Sequence, residues 1–208
     1  MSASEHDRIR HWQDVWSRKP PETTSWYQHE PEMSLTLIEA SGLDRQRPVI
    51  DVGGGAAPLV DRLLDRGFTD LTVLDIAAEG LKRAQSRLGD LQERVDWIVA
   101  DVTAWKPERR YALWHDRAVF HFLTERQEQR AYGQVLASAL ARDGQAVIAT
   151  FAADGPEKCS GLPVQRHDPH SLLAALGDGF LLLETRRETH LTPGGAEQRF
   201  LWCRLGRD

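Results

Sequence analysis

The chain has 208 residues, of which 41% are hydrophobic and 27% charged, with a formal net charge of −5. That length suits one domain with a full core, and the negative balance gives no general attraction to a phosphate backbone or an anionic membrane. Two cysteines, Cys159 and Cys203, are too few for a disulfide framework and lack metal-site spacing, which implies a reducing compartment and no metal. The first residues carry charges throughout, and no segment approaches the ~20 apolar residues of a membrane span, so a soluble cytoplasmic protein is expected.

In chain order, Ile9, Trp12, Val15 and Trp16 recur at helical spacing and predict an amphipathic helix over about 5–18. Prolines on both sides of Ser25-Trp26-Tyr27-Gln28 predict a loop that displays two aromatic rings. A second helix is expected from about Glu32 to Ala40, closed by Ser41-Gly42.

From Pro48 onward short apolar runs alternate with helical patterns. "VIDVGG", "LTVLDI", "VDWIVAD", "YALWHD" and "GQAVIATF" read as strands. Between them lie helices "PLVDRLLDRG", "AEGLKRAQSRL" and "TERQEQRAYGQVLASALA", the last with Thr124 as its expected N-cap. Residues 152–169 are rich in Gly and Pro and long for a connection, so they are expected to form a loop or lid, followed by the helix "DPHSLLAALG". The segments "FLLLETRRETH" and "EQRFLWCRL" flank Thr192-Pro193-Gly194-Gly195 and predict a terminal antiparallel hairpin. The fold class is therefore α/β: a doubly wound, mostly parallel, seven-stranded Rossmann-like sheet with that hairpin and an N-terminal helical arm. We divide the single domain into an arm, 1–44, and a core, 45–208.

Ligands of such sheets lie at the carboxyl ends of the strands. The first strand ends in Asp51-Val52-Gly53-Gly54-Gly55, a turn through which backbone can approach a ligand. The second ends at Asp75-Ile76, with Asp75 placed to accept hydrogen bonds from a ribose diol. The third ends at Asp101-Val102, where a carboxylate can take an exocyclic amine, and the fourth at His115-Asp116-Arg117. Pro58 stands where a dinucleotide fingerprint needs its third glycine, and no Gly-Lys-Ser/Thr follows to make a phosphate loop. Strand alternation points His115 opposite to Asp116, which favours a structural role for His115.

"IDVGGGAAPLV", "LTVLDIA", "VADVT" and "LWHDRAVFHFL", in this order and spacing, resemble the successive motifs of class I S-adenosylmethionine-dependent methyltransferases. The resemblance covers about 49–151 and departs at Ala57, where that family's motif often has a glycine. It implies S-adenosyl-L-methionine as cofactor, with Asp51, Gly53, Gly54 and Gly55 around the methionine part. Asp75 would then hold the ribose hydroxyls, Asp101 and Val102 would flank the adenine, Ile76 would also contact the cofactor, and Trp26 would close over it. The turn after the fourth strand is not the Asn/Asp-Pro-Pro-Tyr/Phe of nucleobase and amide nitrogen methylation. "HDRAVFHFL" with the aromatic "SWYQ" arm instead resembles the thiopurine methyltransferase group and related methylases of thiols and chalcogen oxyanions.

In such a site Asp116 would line the transfer centre, Arg117 would orient or stabilise an anion, His121 would accept a proton, and Tyr27 and Gln28 would reach the substrate. The implied acceptor is a small soft nucleophile, with no nucleic-acid or membrane partner and a monomer or homodimer as the assembly. The alternatives are a protein lysine methyltransferase, a non-catalytic S-adenosylmethionine-binding module and a nicotinamide oxidoreductase. A purely structural reading, with His121 as a satisfied core histidine and Arg117 paired to a carboxylate, also stands.

Overall fold

The computed structural model describes residues 3–208. Helix α1 spans Ala3–Arg18 and α2 Glu32–Ala40. Strand β1 (Val49–Val52), α3 (Leu59–Asp65), β2 (Leu71–Asp75), α4 (Ala78–Leu88), β3 (Val95–Val99) and β4 (Tyr111–Arg117) follow. After a short turn of helix at Phe120–Phe122 come α5 (Arg126–Ala139), β5 (Leu140–Phe151), a ribbon of β6 (Lys158–Cys159) and β7 (Leu162–Pro163), α6 (Pro169–Leu176), β8 (Phe180–Leu191) and β9 (Glu197–Arg207).

Seven strands form one sheet in the order β3-β2-β1-β4-β5-β9-β8. The first five are mutually parallel, whereas β9 runs antiparallel to β5 and β8 antiparallel to β9. Strands β1, β2 and most of β4 are buried on both faces, and for that reason their sequences are apolar runs without alternation. One core, with Trp114, Tyr132, Phe120 and Leu172, fills the α5–α6 side. The other, with Leu37, Leu63, Leu113 and Trp202, fills the α2–α3 side.

Two expectations change. Thr124 is not the cap of α5: the N-cap is Glu125, and no side chain caps it. Residues 152–169 are not one open loop, because β6 and β7 pair antiparallel across Ser160 and Gly161, both at positive φ. This ribbon brings Cys159 back over the sheet, where it is 4% exposed. Among the described residues no helix is long and apolar enough to cross a membrane.

Candidate functional site at the carboxyl edge of the sheet

Strand order reverses between β1 and β4, and there the carboxyl ends of β1, β2, β3 and β4 open onto two adjoining cavities. The larger, about 110 Å³, is lined by Gly53, Asp75, Ile76, Asp101 and Val102, with Arg117, Val119, Phe122 and Cys159 on its far side. The smaller, about 60 Å³, is lined by Asp51, Gly53, Gly54, Trp26, Tyr27, Gln28, Ser34, His115 and Arg117. Trp26, Gly53 and Arg117 border both.

The glycine turn is built for close approach. Gly53 has φ +71°, and a Cβ on it would lie 2.0 Å from Val119 Cγ2. Gly55, at φ +46°, lies under the Trp16 ring, and a Cβ there would come within 2.6 Å of Trp16 and 3.1 Å of the Asp75 carboxylate. Only residues without a side chain allow the turn and the ring to share this space.

Asp75 Oδ1 accepts the Ala77 N–H at 2.7 Å. Its carboxyl titrates at about 7, because burial disfavours the anion, and the nearby Asp51 charge adds to the rise against the amides of Ala77, Gly55 and Ile76. Such a group is poised to ionise when a ligand brings hydrogen-bond donors. Asp101 is held differently. Oδ1 accepts both the Thr103 amide, at 2.9 Å, and the Thr103 hydroxyl, at 2.7 Å, while Oδ2 accepts Arg8 Nη2 at 2.8 Å. Although burial opposes it, Arg8 and Thr103 together hold this carboxyl below the usual carboxylate range.

Arg8 also pairs with Glu128 on α5, so it fastens α1 across the rim beyond β3. Trp12 and Trp16 follow at four-residue steps on the same helix and form, with Trp26, an aromatic roof. The rings meet edge to face, with centroids 5.7 Å apart for Trp12–Trp26 and 5.8 Å for Trp16–Trp26. Sequence reading expected Trp26 here but assigned no ligand role to Arg8, Trp12 or Trp16. The i, i+4, i+8 spacing of one cation and two indoles was the available signal.

Along β4 alternate side chains serve opposite faces. His115 and Arg117 lie on the α2 side, and Asp116 lies with Trp114 on the α5 side. The expected pairing of Asp116 and Arg117 at a transfer centre is therefore corrected. Asp116 lines neither cavity. Its carboxylate accepts the Tyr132 hydroxyl at 2.6 Å and the amides of Val119 and Phe120 at 2.8 and 3.1 Å, which fastens the turn after β4. Burial, opposed by these donors, raises its carboxyl to about 6.

His121 is likewise corrected from proton acceptor to core residue. It is fully buried between Phe122 and Phe151 and lines neither cavity, and its Nδ1 accepts the Phe151 amide at 3.2 Å. Burial lowers its pKa to about 3, so the ring is neutral and its remaining nitrogen has no partner. His115, expected to be structural, joins a buried chain: Nδ1 meets Asp51 Oδ1 at 2.7 Å and Nε2 meets Ser34 Oγ at 3.0 Å. This chain fixes the carboxylate at the start of the glycine turn.

Arg117 is half-buried and its guanidinium carbon stands 4.7 Å from the Phe200 ring centre. Nη1 donates to the Trp26 carbonyl at 2.8 Å, whereas Nε and Nη2 have no acceptor. The nearest acidic group, Glu188, is occupied: its carboxylate takes the Gln28 amide and the Trp202 indole N–H, each at 2.8 Å. Gln28 is thus spent on Glu188, and only Tyr27 of the expected substrate pair is left uncommitted. The Cys159 thiol, next to Arg117, is pushed up to about 12 by burial and stays un-ionised.

Residues 49–144 match a family described as "Methyltransferase domain". Malonyl-[acyl-carrier protein] O-methyltransferase 1 of Ilyobacter polytropus is 28% identical over 115 residues, which cover 55% of this chain and 41% of that protein. The chain thus spans about two fifths of the length of that relative. The fold aligns with a protein described for conversion of a disulfide bond into a thioacetal group during echinomycin biosynthesis, at TM-score 0.76 and 17% identity over 97% of this chain and 93% of that one. It also aligns with the N-methyltransferase NodS of Bradyrhizobium japonicum, solved with S-adenosyl-L-homocysteine, at TM-score 0.71 and 14% identity over 98% of both chains.

Proposed function

Taking residues 49–144 as a methyltransferase domain on the class I fold, we propose that this chain uses S-adenosylmethionine to methylate a small soft nucleophile: a thiol, a sulfide, or a selenium or tellurium species. The observation that carries the reading is convergence. Asp75, Asp101, the bare glycine turn and a half-buried cation open onto one apolar cavity under three indoles. The residues fit the cofactor by their own chemistry: Asp75 is a buried carboxyl at the cavity wall, and the Gly53 turn leaves no side chain in the way.

In this reading Asp75 takes the ribose hydroxyls, Val102 and Ile76 flank the adenine, and Asp51 with Gly53 and Gly54 holds the methionine part. The cofactor supplies a methyl group on a sulfonium that is its own leaving group. The protein's part is then alignment and exclusion of water. Trp12, Trp16 and Trp26 exclude water. Among the described residues that line the cavities, Asp101 is tied to Arg8 and Thr103, both His115 nitrogens are engaged, and Asp75 is taken by the ribose in this reading. An acceptor that ionises by itself suits such a site, and a thiol, whose reference pKa is about 8.5, does so once a neighbouring cation favours the anion. Arg117 is that cation. The relative from echinomycin biosynthesis, which acts at a disulfide bond, is an instance of sulfur chemistry on this fold.

Labelled S-adenosylmethionine offered with hydrogen sulfide, methanethiol, a thiopurine and selenite tests the proposal. A labelled small product is expected. Label retained only on protein from a whole lysate would favour the lysine alternative, and cofactor binding without any product would favour the binding module.

A further inference from the structure

The unpaired edge of Arg117 carries more than a generic attraction for anions. The guanidinium has five N–H donors in one plane, and Nε with Nη2 forms the side-on edge whose two N–H bonds run parallel. In this protein the opposite nitrogen, Nη1, is the one taken by the Trp26 carbonyl. The edge left without an acceptor is therefore the one that matches the two oxygens of a carboxylate. Arg117 borders both cavities, with its Nε and Nη2 atoms themselves buried.

Among the described residues no group accepts from this edge. The Glu188 carboxylate accepts from Gln28 and Trp202, the Cys159 thiol is un-ionised, and His190 Nε2 donates to the Ser25 carbonyl, 2.9 Å away. The other cation at the cavity wall, Arg8, is neutralised by Asp101 and Glu128. Two parallel donors on a cation suit the two oxygens of a planar carboxylate. A phosphate, with more oxygens and more charge, would leave acceptors unmatched, and a lone thiolate sulfur cannot occupy both donors in line.

We propose that the Nε/Nη2 edge of Arg117 is a carboxylate seat, filled either by an acid group on the methyl acceptor or by the carboxylate of the cofactor's methionine tail. This rests on the methyltransferase reading for the identity of the two ligands and not for the seat itself. If the acceptor fills it, the substrates are small carboxylic acids that carry the nucleophile, and Arg117 grips the handle and not the reacting atom.

Equilibrium binding tests the seat without turnover. Mercaptoacetate and its amide, which differ only in the carboxylate, are titrated into the wild-type protein saturated with 5′-methylthioadenosine, which lacks the amino-acid tail. Binding of S-adenosylhomocysteine and of 5′-methylthioadenosine is measured in parallel. Arg117→Lys, Arg117→Gln and Arg117→Met are compared, with melting curves to establish that each folds. A carboxylate preference of about tenfold or more is expected in the wild type, the size of one charge-assisted hydrogen bond, and should vanish in Gln and Met and be partly kept in Lys. A preference for mercaptoacetate over its amide that persists when S-adenosylhomocysteine replaces 5′-methylthioadenosine assigns the seat to the acceptor. A loss confined to S-adenosylhomocysteine assigns it to the cofactor tail. Equal binding of acid and amide together with unchanged S-adenosylhomocysteine affinity in Gln and Met overturns the seat. Because no step needs product, failed methyl transfer beside an intact preference would overturn the proposed function and leave the seat standing.

Discussion

The strongest quantitative consequence of the site lies in Asp75. Its carboxyl is raised to about 7 by burial, so at mildly acidic pH the unliganded protein carries it protonated. A ribose diol that donates to it favours the anion, and ligand binding below pH 7 should then release a proton. If the bound form is fully ionised, affinity scales with the ionised fraction, which climbs about 30-fold between about pH 5.5 and about pH 8 for a group titrating near 7, or about 2 kcal/mol. Calorimetry with S-adenosylhomocysteine in two buffers of different ionisation enthalpy reads both the slope and the proton count. Asp75→Asn keeps the shape, accepts the Ala77 amide and cannot ionise, so its affinity should be flat with pH. At alkaline pH it should lie about 10- to 100-fold below the wild type through loss of a charge-assisted bond. The sign for stability is opposite: the folded-state pKa lies above the unfolded one, the folded state holds the extra proton between about 4 and about 7, and this contribution is lost as pH rises across that window. A flat wild-type profile, or a slope that survives Asp75→Asn, would refute the assignment of Asp75 to the ribose.

Further outcomes follow from other contacts. His121→Phe should leave methyl transfer intact and flatten acid denaturation: His121 titrates near 3 when folded, the unfolded ring takes a proton near its ordinary value, and that stability is lost as pH falls across this window, as urea melts at several pH values would show. Gly53→Ala should cost about 2–5 kcal/mol, from a left-handed backbone and a clash with Val119, and Gly53→Ala with Val119→Ala should recover only the clash, as a double-mutant cycle in urea would measure. Arg8→Ala removes the tie to Asp101 and Glu128, so α1 amides should exchange about 10- to 100-fold faster with deuterium while those of β1 and β4 stay protected. If α1 exchange is unchanged, Arg8 does not fasten the arm.

The succession of strands and helices along the chain, the terminal hairpin and the residues at the carboxyl ends of β1, β2 and β3 were legible in the chain. Each is written in local signals: apolar runs of strand length, helices of ten residues between them, and glycines or aspartates where a run stops. Helix α2 was read as Glu32–Ala40 and is found there. The site beyond β4 was legible only in part. Alternation separated His115 from Asp116, and the same step, carried one residue further, separates Asp116 from Arg117. What no alternation could tell is which face met the ligand, because that depends on what α2 and α5 bring to each side. His121 looked like a base four residues beyond Arg117, but the chain after β4 forms a turn held by Asp116 and not a helix face.

The sequence by itself determined the α/β class and placed the carboxylates and the glycine turn along one rim, because these follow from periodicity and from what each residue permits its own backbone. Tertiary structure alone decided that the Nε and Nη2 edge of Arg117 stands without an acceptor. Its solitude depends on Glu188, 71 positions away in the chain, being taken by Gln28 and Trp202. Long-range packing distributes hydrogen-bond partners among groups remote in sequence, and a buried charge shows its function by the partner that this distribution leaves out.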